Sequence, residues 1–281
     1  MNPLSPAAFL HAGTILGRSR SSFAPAIRLL PREQRQDLAT LYAVCRTLDD
    51  IADLEHLSPP SRQDAWLAWR DAFTEPAHPQ LPPVVRELIQ RRGLDCGLFV
   101  ELLDGVATDL NPPVTMTNRA DLDLYCHQVA GTVGRLCLPV FGAANEQSVA
   151  YAETLGRALQ YTNILRDTAA DFARQRLYYP LDELSAAGLD PQNPDRAGWT
   201  VYLRRFAAQT GQLYRDAARR VPAQDRRALR PAQLMATLYH ALWLKIIRHN
   251  GDVFTRRYRL GAWEKIFLTL RWTVRCDSSA Q

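Results

Sequence analysis

The sequence predicts an all-α protein folded as a single domain. Three observations carry that expectation. Apolar residues recur at three- and four-residue spacing along most of the chain, the period of a helix face. No segment sustains the apolar–polar alternation of a half-buried strand. Glycine is sparse, 14 among 281 residues where roughly 7% is average, and a β-rich fold with many tight turns uses more.

Taken in order, Leu38, Leu41, Val44, Leu48 and Ile51 mark a first long helix. A break at Ser58-Pro59-Pro60 follows it, and Ser61, with Asp64 three residues on, is placed to cap the next helix. Further breaks fall at residues 75–83, at Asn111-Pro112-Pro113, at Pro180, at residues 188–194 and around Gly251. Leu155, Ala158, Leu159, Thr162 and Leu165 mark a second long helix; Leu234, Leu238, Leu242, Leu244 and Ile246 mark a third. The pattern amounts to about eight to ten helices joined by short connections. No repeat, low-complexity tract or long linker divides the chain, so residues 1–281 read as one domain. A domain of this length exceeds a four-helix bundle, and its helices must surround a centre.

Composition narrows the function. With 47% hydrophobic and 22% charged residues the chain is globular rather than disordered. No stretch reaches the ~18 apolar residues of a spanning helix, and the longest candidate, residues 129–144, is interrupted by Arg135 and Pro139. The start of the chain lacks the order of a secretory signal. Cys45, Cys96, Cys126, Cys137 and Cys276 form no CxxC pair and no metal-ligand spacing, so reduced thiols in the cytoplasm are expected. The net charge is +5, and of 34 basic residues only Lys245 and Lys265 are lysines. Arginine's planar fork grips phosphate oxygens in pairs, although an arginine-rich coding composition accounts for the bulk of them. The arginines alternate with acids and form no basic arm, finger or RNA-binding signature, so nucleic acid is not an expected partner.

Two segments carry chemistry. In Leu41 to Glu55, Asp49 and Asp53 stand four residues apart, which on a helix puts both carboxylates on one face, one turn apart. That face also carries Cys45 and Ala52, so it is not purely solvated. Paired carboxylates turned into a cavity need a cation, and oxygen ligands suit Mg²⁺. Taken alone, the same pattern also fits a wet helix edge paired with arginines. The second segment, Gln160 to Tyr178, places Asn163, Asp167 and Asp171 at i, i+4 and i+8, again on one face, with Gln160 and Arg166 close to it. Two such faces looking at each other across a cavity, bordered by Arg46, Arg166, Arg174 and Arg176, have the makings of a site for a diphosphate with Mg²⁺.

These motifs resemble those of the squalene and phytoene synthases, the head-to-head prenyl transferases. Asp49-Asp50-Ile51-Ala52-Asp53 and the run Asn163 to Asp171 are similar to the family's two aspartate-rich motifs. Residues 175–180 (Gln-Arg-Leu-Tyr-Tyr-Pro) are similar to its GRxYLP element, and residues 125–134 to its central helix. Ser21-Ser22-Phe23, followed by Arg28-Leu29-Leu30-Pro31, resembles its N-terminal substrate loop. The resemblance spans residues 21–259 and implies the isoprenoid-synthase fold around a central cavity, with Mg²⁺ and prenyl diphosphate substrates. Within the family the chain looks most like bacterial presqualene diphosphate synthases of hopanoid pathways, and phytoene or dehydrosqualene synthases share much of the pattern. Two positions depart from it. An acid is usual where Ala170 stands, and a glycine where Gln175 stands.

The resemblance implies a reaction joining two farnesyl diphosphates to presqualene diphosphate. Asp49, Asp53, Asn163, Asp167 and Asp171 would hold the metal. Arg46, Arg166 and Arg176 would neutralise the leaving diphosphate, with Gln160 beside them. Tyr125 and Tyr178 would steer the proton or bind diphosphate. Tyr239 and Arg257 are similar to C-terminal diphosphate contacts, and Ser22 belongs to the substrate loop. Phe23 and Tyr42 would shield the cation, as aromatic faces attract positive charge. Asp104 and Asp109, in Asp-Gly-Val-Ala-Thr-Asp, also resemble a family segment but are left outside the catalytic set. His127 is read as a packing or surface residue. The basic group Lys245, Arg248, His249, Arg256, Arg257 and Arg259 is either a solvated face or a contact with anionic lipid, which would make the protein peripheral on the inner face of the cell membrane. No nicotinamide fingerprint is present, so a downstream squalene-forming enzyme would take the product onward. A non-catalytic scaffold of the same fold is the alternative of another class; it predicts loss of the aspartates, which this chain keeps.

Overall fold

The computed structural model describes residues 4–9, 27, 30–54, 57–191, 196–249 and 251–278. Among them are eleven α-helices. In chain order these are α1 (Arg32–Asp53), α2 (Pro59–Ala72), α3 (Pro83–Arg92), α4 (Cys96–Asp109), α5 (Arg119–Cys126) and α6 (Thr132–Phe141). They continue with α7 (Glu146–Ala173), α8 (Leu181–Ala186), α9 (Arg196–Arg219), α10 (Arg230–Arg248) and α11 (Ala262–Ser278). The all-α expectation holds, and the three long helices read from periodicity are α1, α7 and α10.

Local chemistry sets the ends. Ser58, not Ser61, caps α2: its hydroxyl accepts from the Ser61 amide at 3.4 Å, and Pro59 occupies the first helical position. Proline fits there because that amide has no intrahelical acceptor. Helix α5 begins in a capping box, where the Asn118 side chain accepts from the Asp121 amide and the Asp121 carboxylate accepts from the Asn118 amide. Between α5 and α6 the chain continues as a π-helical turn, His127–Gly131. His127 is half-buried there, 3.4 Å from a Glu101 carboxylate oxygen.

Helix α7 is the spine. It packs against α9 on one side and against the π turn and α6 on the other. The close approach on the second side depends on Gly156, where an added Cβ would stand 2.7 Å from the Ala130 carbonyl oxygen. Towards α9, Tyr161 stacks on Phe206 with ring centroids 4.7 Å apart, and Thr162 shares a hydrogen bond with Tyr214 at 2.8 Å. Tyr151, Leu155, Leu159, Gln160, Asn163 and Arg166 of α7 face a cavity.

Periodicity missed two short parallel strands, β1 (Val114–Met116) and β2 (Arg176–Pro180), which pair Val114 with Arg176 and Thr115 with Leu177. Three and five residues are too few to show alternation, and β2 is buried along its whole length. Strand β2 follows directly on α7, and its pairing with β1, which lies between α4 and α5, fixes where Arg176 and Tyr178 stand. The turn into β2 is tight: Gln175 has φ 57°, the one non-glycine with positive φ among the described residues. A left-handed backbone favours glycine, which gives the expected glycine at this position its physical reason.

Candidate active site

A cavity of about 1480 Å³ lies between α1, the π turn with α6, α7 and α10. Its walls are mostly apolar, with Leu41, Val133, Leu155, Leu159 and Leu242 among them. On α1 and α7 the charged and amide side chains gather at one end, while Arg259 and Lys265 line the cavity from the C-terminal segment. Along α1 the lining runs from Leu38 to Arg46, Asp49 and Asp50; along α7 it runs from Tyr151 to Gln160, Asn163 and Arg166. Both helices therefore turn polar towards their C-termini.

Those C-termini meet. Asp53 is the last residue of α1, Asp109 the last of α4, and Asp171 lies in the final turn of α7. Helix C-termini are the negative ends of their dipoles, so carboxylates there are doubly in need of cations. Arg176 supplies one. Its Nη1 donates to Asp53 Oδ1 at 2.8 Å, and its Nη2 donates to the carbonyl oxygens of Ala52 at 3.0 Å and Asp109 at 3.3 Å. One guanidinium thus caps two helices and pairs a carboxylate. Arg174 stands 3.8 Å from the same Asp53 oxygen.

Asp109, which sequence reasoning set aside, joins this cluster. Buried, it accepts from the hydroxyls of Tyr125 at 2.8 Å and Tyr178 at 2.7 Å, and the two rings stack at 4.9 Å. Burial pushes its carboxyl above the usual range, against the pull of Arg176 and the two tyrosines. Tyr125 and Tyr178 thus come together on Asp109, and neither lines the cavity. Asp104, five residues earlier, points elsewhere and pairs with Arg70.

The remaining aspartates divide by environment. Burial, reinforced by Asp53, Asp50 and Asp109 and opposed by Arg46, pushes Asp49 up to about 7. Burial together with Asp167, Asp109 and Asp53, and against Arg176, also pushes Asp171 up to about 7. Asp53 on α1 is among the charges that raise Asp171 on α7, so these two carboxylates stand close enough to interact. Arg46 is held by Asp50 at 2.5 Å. Arg166 grips its neighbour Asp167 with both Nε, at 2.8 Å, and Nη2.

Two buried atoms test whether a metal-bound diphosphate fits here. Asn163 Oδ1 and Arg176 Nε find no hydrogen-bond partner among the described residues. Asn163 spends its amide nitrogen on Gln160 Oε1 at 3.2 Å, which leaves the oxygen for another ligand. An unpaired acceptor suits a cation and an unpaired donor suits an anion. Among the described residues no three carboxylate, histidine or cysteine side chains converge enough to hold a metal unaided. Mg²⁺ ordinarily takes one or two carboxylates and completes its shell with phosphate oxygens and water, so the donor set fits.

Other predicted positions fall as follows. Tyr42 and Tyr239 line the cavity, and burial raises the Tyr239 phenol against the pull of Arg166. Arg257 corrects the expectation: it is exposed and lies off the cavity wall, to which Tyr258 and Arg259 contribute instead. Ala170 is exposed, so the acid usual at this position would stand at the surface. Ser22 and Phe23 lie outside the described residues.

Residues 16–264 match the family model for squalene/phytoene synthase. The chain belongs to that family. Relatives agree: it is 31% identical over 278 residues to a presqualene diphosphate synthase from Rhodopseudomonas palustris, covering 96% of this chain and 98% of that one. It is 34% identical over 257 residues to a phytoene synthase from Mycobacterium bovis, covering 87% and 83%. The fold is likewise shared with a dehydrosqualene synthase crystallised with a ligand, at TM-score 0.77 and 23% identity over 96% of each chain. The family and these relatives' names are those of prenyl-transferring enzymes, and the isoprenoid-synthase fold is confirmed.

Proposed function

We propose that this chain joins two farnesyl diphosphates head to head, giving presqualene diphosphate and inorganic diphosphate. The observation that carries the reading is the cavity. Its volume of about 1480 Å³ exceeds the roughly 300–1,000 Å³ of an ordinary single-ligand site, its walls suit two prenyl chains, and one end gathers the acids and arginines. The full-length match to the Rhodopseudomonas palustris synthase supports the substrate choice.

Asp49, Asp53, Asn163, Asp167 and Asp171 would hold Mg²⁺, which supplies Lewis-acid charge to the departing diphosphate. Arg46 and Arg166 line the polar end and take up charge that grows on the diphosphate oxygens. Arg176 keeps an unpaired Nε donor for an anion. Heterolysis of the C1–O bond leaves an allylic cation on one substrate. The apolar walls exclude water from it, and the Tyr42 ring at the wall favours positive charge. The double bond of the second substrate supplies the electron pair, a proton leaves, and the cyclopropane closes. The Tyr125–Asp109–Tyr178 group lies near enough to the diphosphate end to hold Arg176 and its helix ends in place.

Incubation with Mg²⁺ and either farnesyl or geranylgeranyl diphosphate, followed by mass spectrometry of the products, tests the reading. The expected product is the C30 cyclopropyl diphosphate; consumption of the C20 substrate alone would replace it with phytoene synthesis, the reading the Mycobacterium bovis relative favours. Among the described residues no helix is long and apolar enough to cross a membrane. A cytoplasmic enzyme lying peripherally on the inner membrane face, passing its product to a squalene-forming enzyme, completes the proposal.

A further inference from the structure

Helix α11 carries two apolar stripes. Leu268 and Trp272 pack on Leu234, Met235 and Leu238 of α10. At 100° per residue, Trp263, Ile266, Phe267, Leu270 and Val274 fall on the opposite side, where they are 83%, 49%, 62%, 63% and 69% exposed. Singly scattered surface hydrophobics need no explanation, but a contiguous stripe of this size marks an interaction face.

What surrounds the stripe selects its occupant. Arg271 stands exposed on its flank, and Arg256, Arg257 and Arg259 are exposed in the segment leading into the helix. Glu264, on the same flank as Arg271, is engaged by Lys245 Nζ at 2.9 Å and by the Gly261 amide at 2.7 Å. Apolar residues bordered by arginines are the pattern of a helix lying in an anionic lipid interface. A second copy of the chain docking by the same face would bring its arginines towards these ones, which like charges oppose. Ile266 belongs both to the stripe and to the cavity wall, together with Gly261, Ala262 and Lys265, so the exposed face runs into the cavity lining.

We propose that α11 docks on an anionic bilayer, its Trp263-to-Val274 stripe in the acyl boundary and its arginines on the headgroups, and that prenyl chains pass between bilayer and cavity along Ile266. The docking stands on the surface itself; the prenyl path rests on the function proposed above.

The test is flotation of the full-length protein with vesicles of phosphatidylcholine alone or mixed with phosphatidylglycerol. The protein should float with the anionic vesicles, and about 0.5 M salt should cut the bound fraction severely. Combined Trp263→Ser, Phe267→Ser and Leu270→Ser replacement should lower the partition by about tenfold or more, while thermal midpoint and turnover of detergent-dispersed substrate stay at wild-type values. Docking is overturned if the triple variant floats like wild type, or if the wild type binds no vesicle. It is equally overturned if the wild type proves to be a dimer that the triple variant dissociates. Flotation decides docking even for a preparation that turns over no farnesyl diphosphate, so docking and the coupling reaction fail separately.

Discussion

The acidic faces of α1 and α7 read as near-twins in the sequence and differ in how they are held. Each pairs one clamped carboxylate with one desolvated carboxylate raised to about 7, Asp53 with Asp49 on α1 and Asp167 with Asp171 on α7. On α7 the clamp is local, since Arg166 grips the residue next to it. On α1 it comes from far along the chain, since Arg176 reaches Asp53 from β2 across 123 positions. The second face is therefore built by one helix, and the first exists only once the small sheet has formed. The difference teaches that identical spacing does not imply equal independence.

The largest expected effect tests what the faces share. Asp49→Asn and Asp171→Asn should each lower kcat/KM by about 10²- to 10³-fold, as loss of a group that organises transition-state charge does. Each should also raise the melting temperature of the metal-free protein at pH 8, because a desolvated carboxylate is removed. Turnover close to wild type in either variant would sink the metal-face assignment.

The next test separates the faces. Arg176→Gln removes a buried cation bonded to one carboxylate and two helix-end carbonyls, and should cost about 2–3 kcal/mol in urea unfolding. Arg166→Gln breaks a partly solvated pair between neighbours and should cost about 1 kcal/mol or less. Equal losses would mean that the two faces depend equally on their arginines.

A third measurement uses pH. Asp49 and Asp171 rise from an ordinary value of 3.8 to about 7 in the fold, so the folded state binds their protons more tightly than the unfolded chain. Their contribution is stabilising at low pH and is lost as pH climbs from about 4 to 7. Metal-free protein should therefore melt at progressively lower temperature across that window, and the Asp49→Asn, Asp171→Asn double variant should lose most of the slope. An unchanged slope in the double variant would place the titration elsewhere.

The smallest effect concerns the turn that joins the two regions. Gln175→Gly relieves a left-handed backbone but loosens the unfolded chain, for a net gain of about 0.5–1 kcal/mol. A loss of stability on chemical denaturation would show that the Gln175 side chain matters more than its backbone.

Much of this was legible in advance, for identifiable reasons. Burying one face of α1, α7 and α10 writes a period of three and four into the sequence, and placing polar groups on one helix face writes a period of four into Asp49–Asp53 and Asn163–Asp167–Asp171. Asp109 left no such trace. It stands five residues from Asp104, about 140° around the helix, so the two share no face, and its tyrosine partners come from α5 and β2. The strands are too short to show alternation, and the Ser58 cap shows only in the bond that its hydroxyl accepts from the Ser61 amide. Arg257 was favoured on alignment alone, where one or two residues decide which side chain meets the cavity.

The sequence by itself determined the helical architecture, the two acidic faces and the family, because periodic burial and the four-residue spacing of carboxylates are local regularities along one helix. Only the tertiary structure decided that three helix C-termini converge on Arg176, that Asp109 joins them, and that α11 keeps an apolar stripe outside. Each of those depends on which distant segments meet, and the free energy of such meetings lies in desolvation and hydrogen bonding between elements, which no spacing within one element records.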